Sequence, residues 1–311
     1  MPEVSPAWRP QREIELVAGT PAGGGQDRPA RVLIGLMQER LGAPIKLTNI
    51  AGRGGGNAWD YLAQHPGDAH IVAINSPTII TNQLPGESTL DFAALTPLAN
   101  LYTEYLVFVV RPNAAPASAQ ELLAALKRDT SSIRIAFATA IGNTNHMALA
   151  KITAQAGGNV HSLATDVFDS ARYAVKHVVE GRADLAVVTA TSAVPELEKG
   201  LLNAIAVSSP LRMTGPFAAV PTWRECGIDC VVGTWRGVIG ARGLDGAQIA
   251  FWEAALAAAI AGEAWRAELA RHHWTDTYMG AAATRAFLDN ERGVMHGALS
   301  ALGLLAAPAR Q

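Results

Sequence analysis

Three times along the chain an apolar run ends in small residues and restarts as a helical pattern: LVAGTPAGGGQD at 16–27, NIAGRGGGN at 49–57 and FATAIGNTN at 137–145. Glycine loses the most freedom on folding, so triplets of it directly after strands imply either a sharp turn or a close approach to the backbone. The repeated strand–loop–helix unit restricts the fold to a parallel α/β architecture, in which helices return the chain between neighbouring strands.

The remaining pattern agrees. Ile14–Val17, Ile45–Ile50, His70–Asn75, Tyr105–Val110, Ile133–Ala138, Leu185–Val188 and Leu202–Ser208 read as strands. Pro29–Leu41, Ala119–Lys127, Met147–Ala156, Gln248–Ala261 and Thr284–Leu302 read as helices. Asp27 is the expected N-cap of the first helix, Pro29 suits its first turn and Gly42 closes it. The Pro-rich RPNAAPAS at 111–118 marks the crossing into a second domain. The expected division is a first lobe of 1–108 plus 226–311 and a second of 109–225, each a mainly parallel sheet flanked by helices.

In such sheets ligands bind beyond the carboxyl ends of the strands, where loops enter helix N-termini. The loops Gly23–Asp27, Gly54–Asn57 and Gly142–Asn145 share this position, and none carries a lysine or arginine within its glycine run. Helix starts expose unpaired N–H groups and partial positive charge, so converging ends suit a small carboxylate at about 0.3–1 kcal/mol per dipole. Ordinary βα turns are the plain alternative for any single loop.

Other classes find little support. The chain of 311 residues has 25 Lys+Arg against 27 Asp+Glu and no like-charge run, which argues against a nucleic-acid surface. GTPAGGGQ lacks the Gly-Lys-Ser/Thr of a phosphate loop, and there is no GxSxG, HExxH or CxxC pattern. No catalytic set, metal or cofactor is expected. His146 reads as a neutral capping group rather than a general base, and His272-His273 face different ways on a helix. Asp169 and Asp184 are assigned to turns or surface pairs. Trp223 and Trp235 are assigned to interdomain or C-terminal packing, with Trp235 alternatively flanking an apolar ligand part. Cys226 and Cys230 read as two small core residues, with a disulfide as the lesser alternative. The N-terminal stretch has no apolar signal region, which fits either a mature exported chain, and so a periplasmic protein, or a cytosolic one.

PAGGGQDRPAR, NIAGRGGGNAWDYLA, IAFATAIGNTNHMALAKITAQAG, EGRADLAVV, AVPTWRECGID and TWRGVIGARG occur in an order that resembles the extracytoplasmic solute receptors of tripartite tricarboxylate transporters, the Bug or TctC-like family. The resemblance runs from Ile14 to Leu304. It implies two α/β lobes closing like a flytrap on a small organic acid, with a membrane permease as partner and a monomeric state. Carried onto this chain, it implies first-lobe contacts at Gly24, Gly25, Asp27, Gly54, Gly55, Gly56 and Ser76. The implied second-lobe contacts are Gly142, Asn143, Thr144, Asn145, Thr189 and Thr191. Two departures bear on the ligand. Asp166 stands near where a lysine is usual, favouring an amino, hydroxyl or neutral polar end. Arg28 replaces a small residue and either pairs with a ligand carboxylate or points to solvent. A cytosolic enzyme or sensor for a small carboxylate is the alternative function.

Overall fold

A computed structural model describes residues 8–83 and 90–305. The extreme ends assigned to the first lobe, and part of the N-terminal stretch read for a signal, lie outside the described residues. The first unit alternates Ile14–Ala18 (β1), Asp27–Met37 (α1), Ile45–Asn49 (β2), Gly56–Ala63 (α2), Ile71–Asn75 (β3) and the short Thr78–Thr81 (α3). A long strand, Thr96–Val110 (β4), leads into the second unit. There follow Ala119–Arg128 (α4), Arg134–Ala138 (β5), Thr144–Ala156 (α5), Ala164–Phe168 (β6), Ala171–Val179 (α6), Leu185–Thr189 (β7), Ala190–Glu198 (α7) and Asn203–Val207 (β8). The chain returns through Gly233–Gly240 (β9) and ends in Gly246–Ile260 (α8), Glu263–His272 (α9), Thr275–Gly280 (β10) and Ala281–Ala301 (α10).

The strands follow the order β2-β1-β3-β9-β4-β7-β5-β6, with β8 and β10 also paired to β4. The outer trios β2-β1-β3 and β6-β5-β7 are parallel, as a strand–helix alternation requires. The inner strands β9 and β4 run antiparallel to their neighbours, so the sheet is mixed. They are the two passages between lobes. Tyr105 still pairs with Gly233 of the first lobe, whereas Leu106 pairs with Thr189 of the second.

Each lobe packs helices on both faces of its strands. In the first, Leu16, Leu33, Tyr102, Trp252 and Trp265 form one cluster and Trp59, Ile71, Trp235 and Leu288 the other. In the second, Phe108, Phe137, Leu149 and Trp223 lie on one face and Val107, Val175, Val188 and Phe217 on the other. Cys230 is buried in the Phe108 cluster and Cys226 packs against it. Both thiols are free, in line with the core reading. Trp223 belongs to that second core, edge-on to Phe108 at 4.8 Å, rather than to an interdomain or C-terminal contact. Trp235 does meet the C-terminal helix, donating from Nε1 to Glu291 Oε2 at 3.2 Å.

Candidate functional site

The first loop is closed largely by its own groups. Thr20 Oγ1 accepts from the amides of Gln26 and Asp27, both at 3.2 Å. Gly24 N donates to Pro21 O, and Gly23 N donates to Asp27 Oδ2 at 2.7 Å. Among the amides of 23–27 only that of Gly25 has no partner among the described residues. Helix α1 therefore presents fewer bare donors than its sequence suggests. Asp27 is not the N-cap: Gln26 holds that place and Asp27 is the first helical residue, 1% exposed. Its carboxylate also accepts from Asn49 Nδ2 at 2.9 Å and Arg31 Nε at 2.8 Å. Burial works to raise its pKa, but the bonds from Arg31, the Gly23 amide and Asn49 outweigh it and hold the group below its ordinary value. A carboxylate so committed braces the turn and offers nothing to an anionic ligand.

Gln26, a residue the sequence reading passed over, ties three loops together. Its Oε1 accepts from Gly19 N at 2.8 Å, and its Nε2 donates to Ser76 Oγ at 3.3 Å and Gly54 O at 3.5 Å. Thr78 Oγ1 donates to Gly54 O at 2.6 Å and shares a bond with Ser76 Oγ at 2.8 Å. Gly56 N donates to Arg53 O, completing the turn. The glycines serve this contact. A Cβ on Gly19 would stand 2.5 Å from Gly55 Cα, and one on Gly55, at φ +111°, would stand 2.6 Å from Gln26 Nε2. The close approach asked of the backbone at these positions is that of one loop to another.

In the second lobe side chains do the same work. Asn143 caps α5, accepting from His146 N at 3.1 Å and donating from Nδ2 to Ala138 O at 2.6 Å. Gly142 N donates to His146 Nδ1 at 3.0 Å, which requires that nitrogen to be unprotonated. The His146 ring stacks on Phe137, and burial lowers its pKa to about 4, so it is a neutral cap as expected. Asn145 Nδ2 donates to Val187 O at 2.7 Å.

The crossing strands join these loops. Thr234 and Arg236 alternate with Trp235 on β9 and so share one face. Thr144 Oγ1 and Thr234 Oγ1 are 2.7 Å apart, while Arg236 Nε donates to Gly25 O at 3.1 Å. Glu104, opposite Thr234 in the β4–β9 register, accepts from Thr191 Oγ1 at 2.9 Å and Trp274 Nε1 at 3.0 Å. Gly25 from the first loop, Thr144 from the start of α5 and Thr191 from the start of α7 thus come to one stretch of β4 and β9. Gly24, Gly54, Gly55, Gly56 and Ser76 belong to the linked first-lobe loops, and Gly142, Asn143 and Asn145 to the α5 turn. Thr189 sits beside the crossing with its hydroxyl 3.0 Å from Ser192 Oγ. Asp166 is elsewhere. It lies mid-strand on the edge strand β6, exposed and across from Ala136 rather than at a strand's carboxyl end. The Arg28 side chain is half-buried and makes no hydrogen bond or ion pair among the described residues; its backbone amide donates to Gly24 O at 3.1 Å.

Glu104 and Arg236 were missed by the sequence reading although each carries a readable signal. A glutamate inside LYTEYLVFVV and an arginine inside TWRGVIG interrupt apolar strands, and buried charges are rare unless paired. Glu104 is 2% exposed and Arg236 7%, with Nη2 3.7 Å from Glu104 Oε2. Burial, and then Arg271 and Arg28, lower the pKa of His272 against the opposing pull of Glu268 and Glu104. Among the described residues no group of histidine, cysteine and acidic side chains is arranged to hold a metal, and no helix is long and apolar enough to cross a membrane.

The chain is similar to known proteins over most of its length. The protein of the tcbD–tcbE intergenic region of Pseudomonas sp. (strain P51) is 30% identical over 244 residues, covering 75% of this chain and 69% of that protein. A TctC solute-binding protein from Polaromonas has 26% identity and a TM-score of 0.73, covering 94% of this chain and 99% of its own. The structure of R. palustris Rpa4515 with adipate superposes with a TM-score of 0.86 at 20% identity, covering 96% and 99%, and shares the fold. Residues 30–304 match the tripartite tricarboxylate transporter family receptor, TctC, and this chain belongs to that family.

Proposed function

We propose that this protein is an extracytoplasmic solute-binding receptor that closes its two lobes on a small organic carboxylate and delivers it to a tripartite tricarboxylate transporter permease. The observation that carries the reading is the meeting of loops from both lobes on neighbouring residues of one crossing strand, Gly25 on Arg236 and Thr144 on Thr234. Two lobes linked by such strands are a hinge, and a ligand that touches both sides shifts the population toward closure. The cleft is lined by Gly24, Gly25, Gly54 and Ser76 from one lobe and by Asn143, Thr144, Asn145 and Thr189 from the other. The Gly25 amide is a first-lobe donor that has no partner among the described residues. Gly55, Gly56, Asp27, Gly142 and Thr191 act one step back, shaping the loops that meet the solute. The adipate in Rpa4515 supports a carboxylate as the ligand class. The receptor works as a monomer in the periplasm.

Calorimetric titration against mono-, di- and tricarboxylates, with the acid recovered and identified afterwards, tests this. Binding of one acid per chain, returned unchanged, is expected. Consumption of the acid, or no binding by any of the three classes, overturns the receptor reading.

A further inference from the structure

The two passages between the lobes change over side by side, and one buried serine is bonded to both. Tyr105 of β4 pairs with Gly233 of β9, and Val107 pairs with Val207 of β8. Both partner strands run antiparallel to β4, and their ends meet opposite Leu106, at Ser208 and Val232. In a regular antiparallel pair Leu106 and Ser208 would exchange two N–H to C=O bonds. Only one is made, Ser208 N donating to Leu106 O at 2.9 Å. Leu106 N donates instead to the Ser208 hydroxyl, also at 2.9 Å. The Ser208 carbonyl is thereby released to accept from Val232 N at 3.2 Å, while the hydroxyl donates to Val232 O at 2.5 Å. One hydroxyl accepts from the first passage and donates to the second, which serine can do and alanine cannot. Ser208 and Leu106 are both 0% exposed, so solvent does not compete for these bonds. Gly233 keeps the joint slim, because a Cβ there would stand 2.2 Å from Thr103 Cγ2.

We infer that Ser208 is the positioning residue of the hinge: its hydroxyl fastens Leu106 to Val232, so that the lobes turn about the links 105–106 and 232–233 together, as one axis. The inference rests on the reading above that the lobes close on a solute, and it adds the residue that fixes how they turn. A hinge concentrates its backbone rotation in a few residues. Here Tyr105 and Gly233 are paired to each other on one side of the changeover, and Leu106 and Val232 are joined through Ser208 on the other. Rotation is thus confined to the two peptide links between. Thr144 on Thr234 and Thr191 on Glu104 also bring the lobes together, but each is one side chain laid on one strand. Ser208 touches no part of the cleft described above, so it acts through Leu106 and Val232 alone. Without its hydroxyl the two passages bend independently, and the lobes gain orientations that the joint forbids.

Electron–electron distance measurements between genetically encoded nitroxide residues at the exposed positions Glu39 and Gln120, one on each lobe, test this in the full chain without solute. The wild type is expected to give one narrow distribution and Ser208→Ala a broader one. Hydrogen exchange of the Leu106 amide, orphaned in Ser208→Ala, should quicken by about fivefold or more. Thr153→Val is the control, since it removes another buried hydroxyl of the second lobe, one that donates to Leu149 O at 2.8 Å within α5. It should lose comparable stability and keep the wild-type distance distribution. A Ser208→Ala distribution as narrow as the wild type, or a Thr153→Val distribution equally broad, overturns this inference alone. Succinate, glutarate and adipate are then added in turn to the wild type, and at least one is expected to shorten the distance. No shift with any of the three overturns the closure reading and this inference with it.

Discussion

In the first lobe two glycine-rich turns are clamped by one buried amide, Gln26, and the glycines are there because Gly19 and Gly55 nearly touch. In the second lobe a single turn with one glycine is held by its own side chains, Asn143 and His146, and the neighbouring Thr144 reaches across to β9. The same strand–loop–helix pattern thus conceals two kinds of stiffness. One depends on shape and fails when volume is added. The other depends on the protonation and hydrogen bonding of named groups and fails when acid or substitution removes them.

The largest expected effect is at the shape-dependent contact. Gly55→Ala places a Cβ 2.6 Å from Gln26 Nε2 and 3.0 Å from Trp59 in a backbone with φ +111°. It should destabilise by about 3–5 kcal/mol, the sum of backbone strain and overpacking. Gly23→Ala, where φ is +79° but nothing lies within 4 Å, should cost only about 1 kcal/mol. Equal costs in chemical denaturation would remove the loop-to-loop account of the glycines.

Acid separates the lobes next. His146 has its pKa lowered from 6.5 to about 4, so its contribution is fully present above pH 6.5 and is lost as pH falls toward about 4. The loss should reach about 3 kcal/mol, and His146→Gln should flatten that part of the stability-against-pH curve. Asp27 acts in a lower window. Its folded pKa lies below 3.8, so its contribution is present above that value and disappears as pH falls through the folded pKa. A wild-type curve that is level between pH 6.5 and 4 would contradict the second-lobe cap.

Asp27→Asn should cost about 2 kcal/mol at pH 7, because the Gly23 amide, Asn49 and Arg31 lose an ionised acceptor. The loss should fall mainly on stability, and on affinity only through the loop that it braces. The smallest effect is expected for Thr234→Val, about 1 kcal/mol, which removes the Thr144 contact across the crossing. It should weaken solute binding by a few-fold through the closed state while leaving the Gly55→Ala penalty unchanged, since the two sites share no partner.

Much of the fold was legible because its signals are local. The runs ending at Ala18, Asn49, Asn75 and Ala138 alternate with amphipathic helices, and that alternation admits few architectures. The strands β6, β9 and β10 were harder to read. Thr165, Asp166, Arg236 and Asp276 break their apolar character, and an edge or crossing strand is stabilised by its neighbours more than by its own composition. The candidate site was half legible. Its loops were visible as glycine clusters, while Gln26, Glu104 and Arg236 acquire their roles only from partners far away in the chain.

The amino-acid sequence by itself determined the family, the alternation of strands and helices, and the small-residue turns at which loops enter helices, because each depends on residues close together along the chain. Only the tertiary structure decided that the Asp27 carboxylate accepts from Gly23, Asn49 and Arg31, that Asp166 lies on an edge strand, and that Arg236 stands between Gly25 and Glu104. The reason is that charge compensation is a property of a place in space. A carboxylate with three donors and a guanidinium with a spare edge have the same side-chain chemistry as any others until the fold brings, or withholds, their partners.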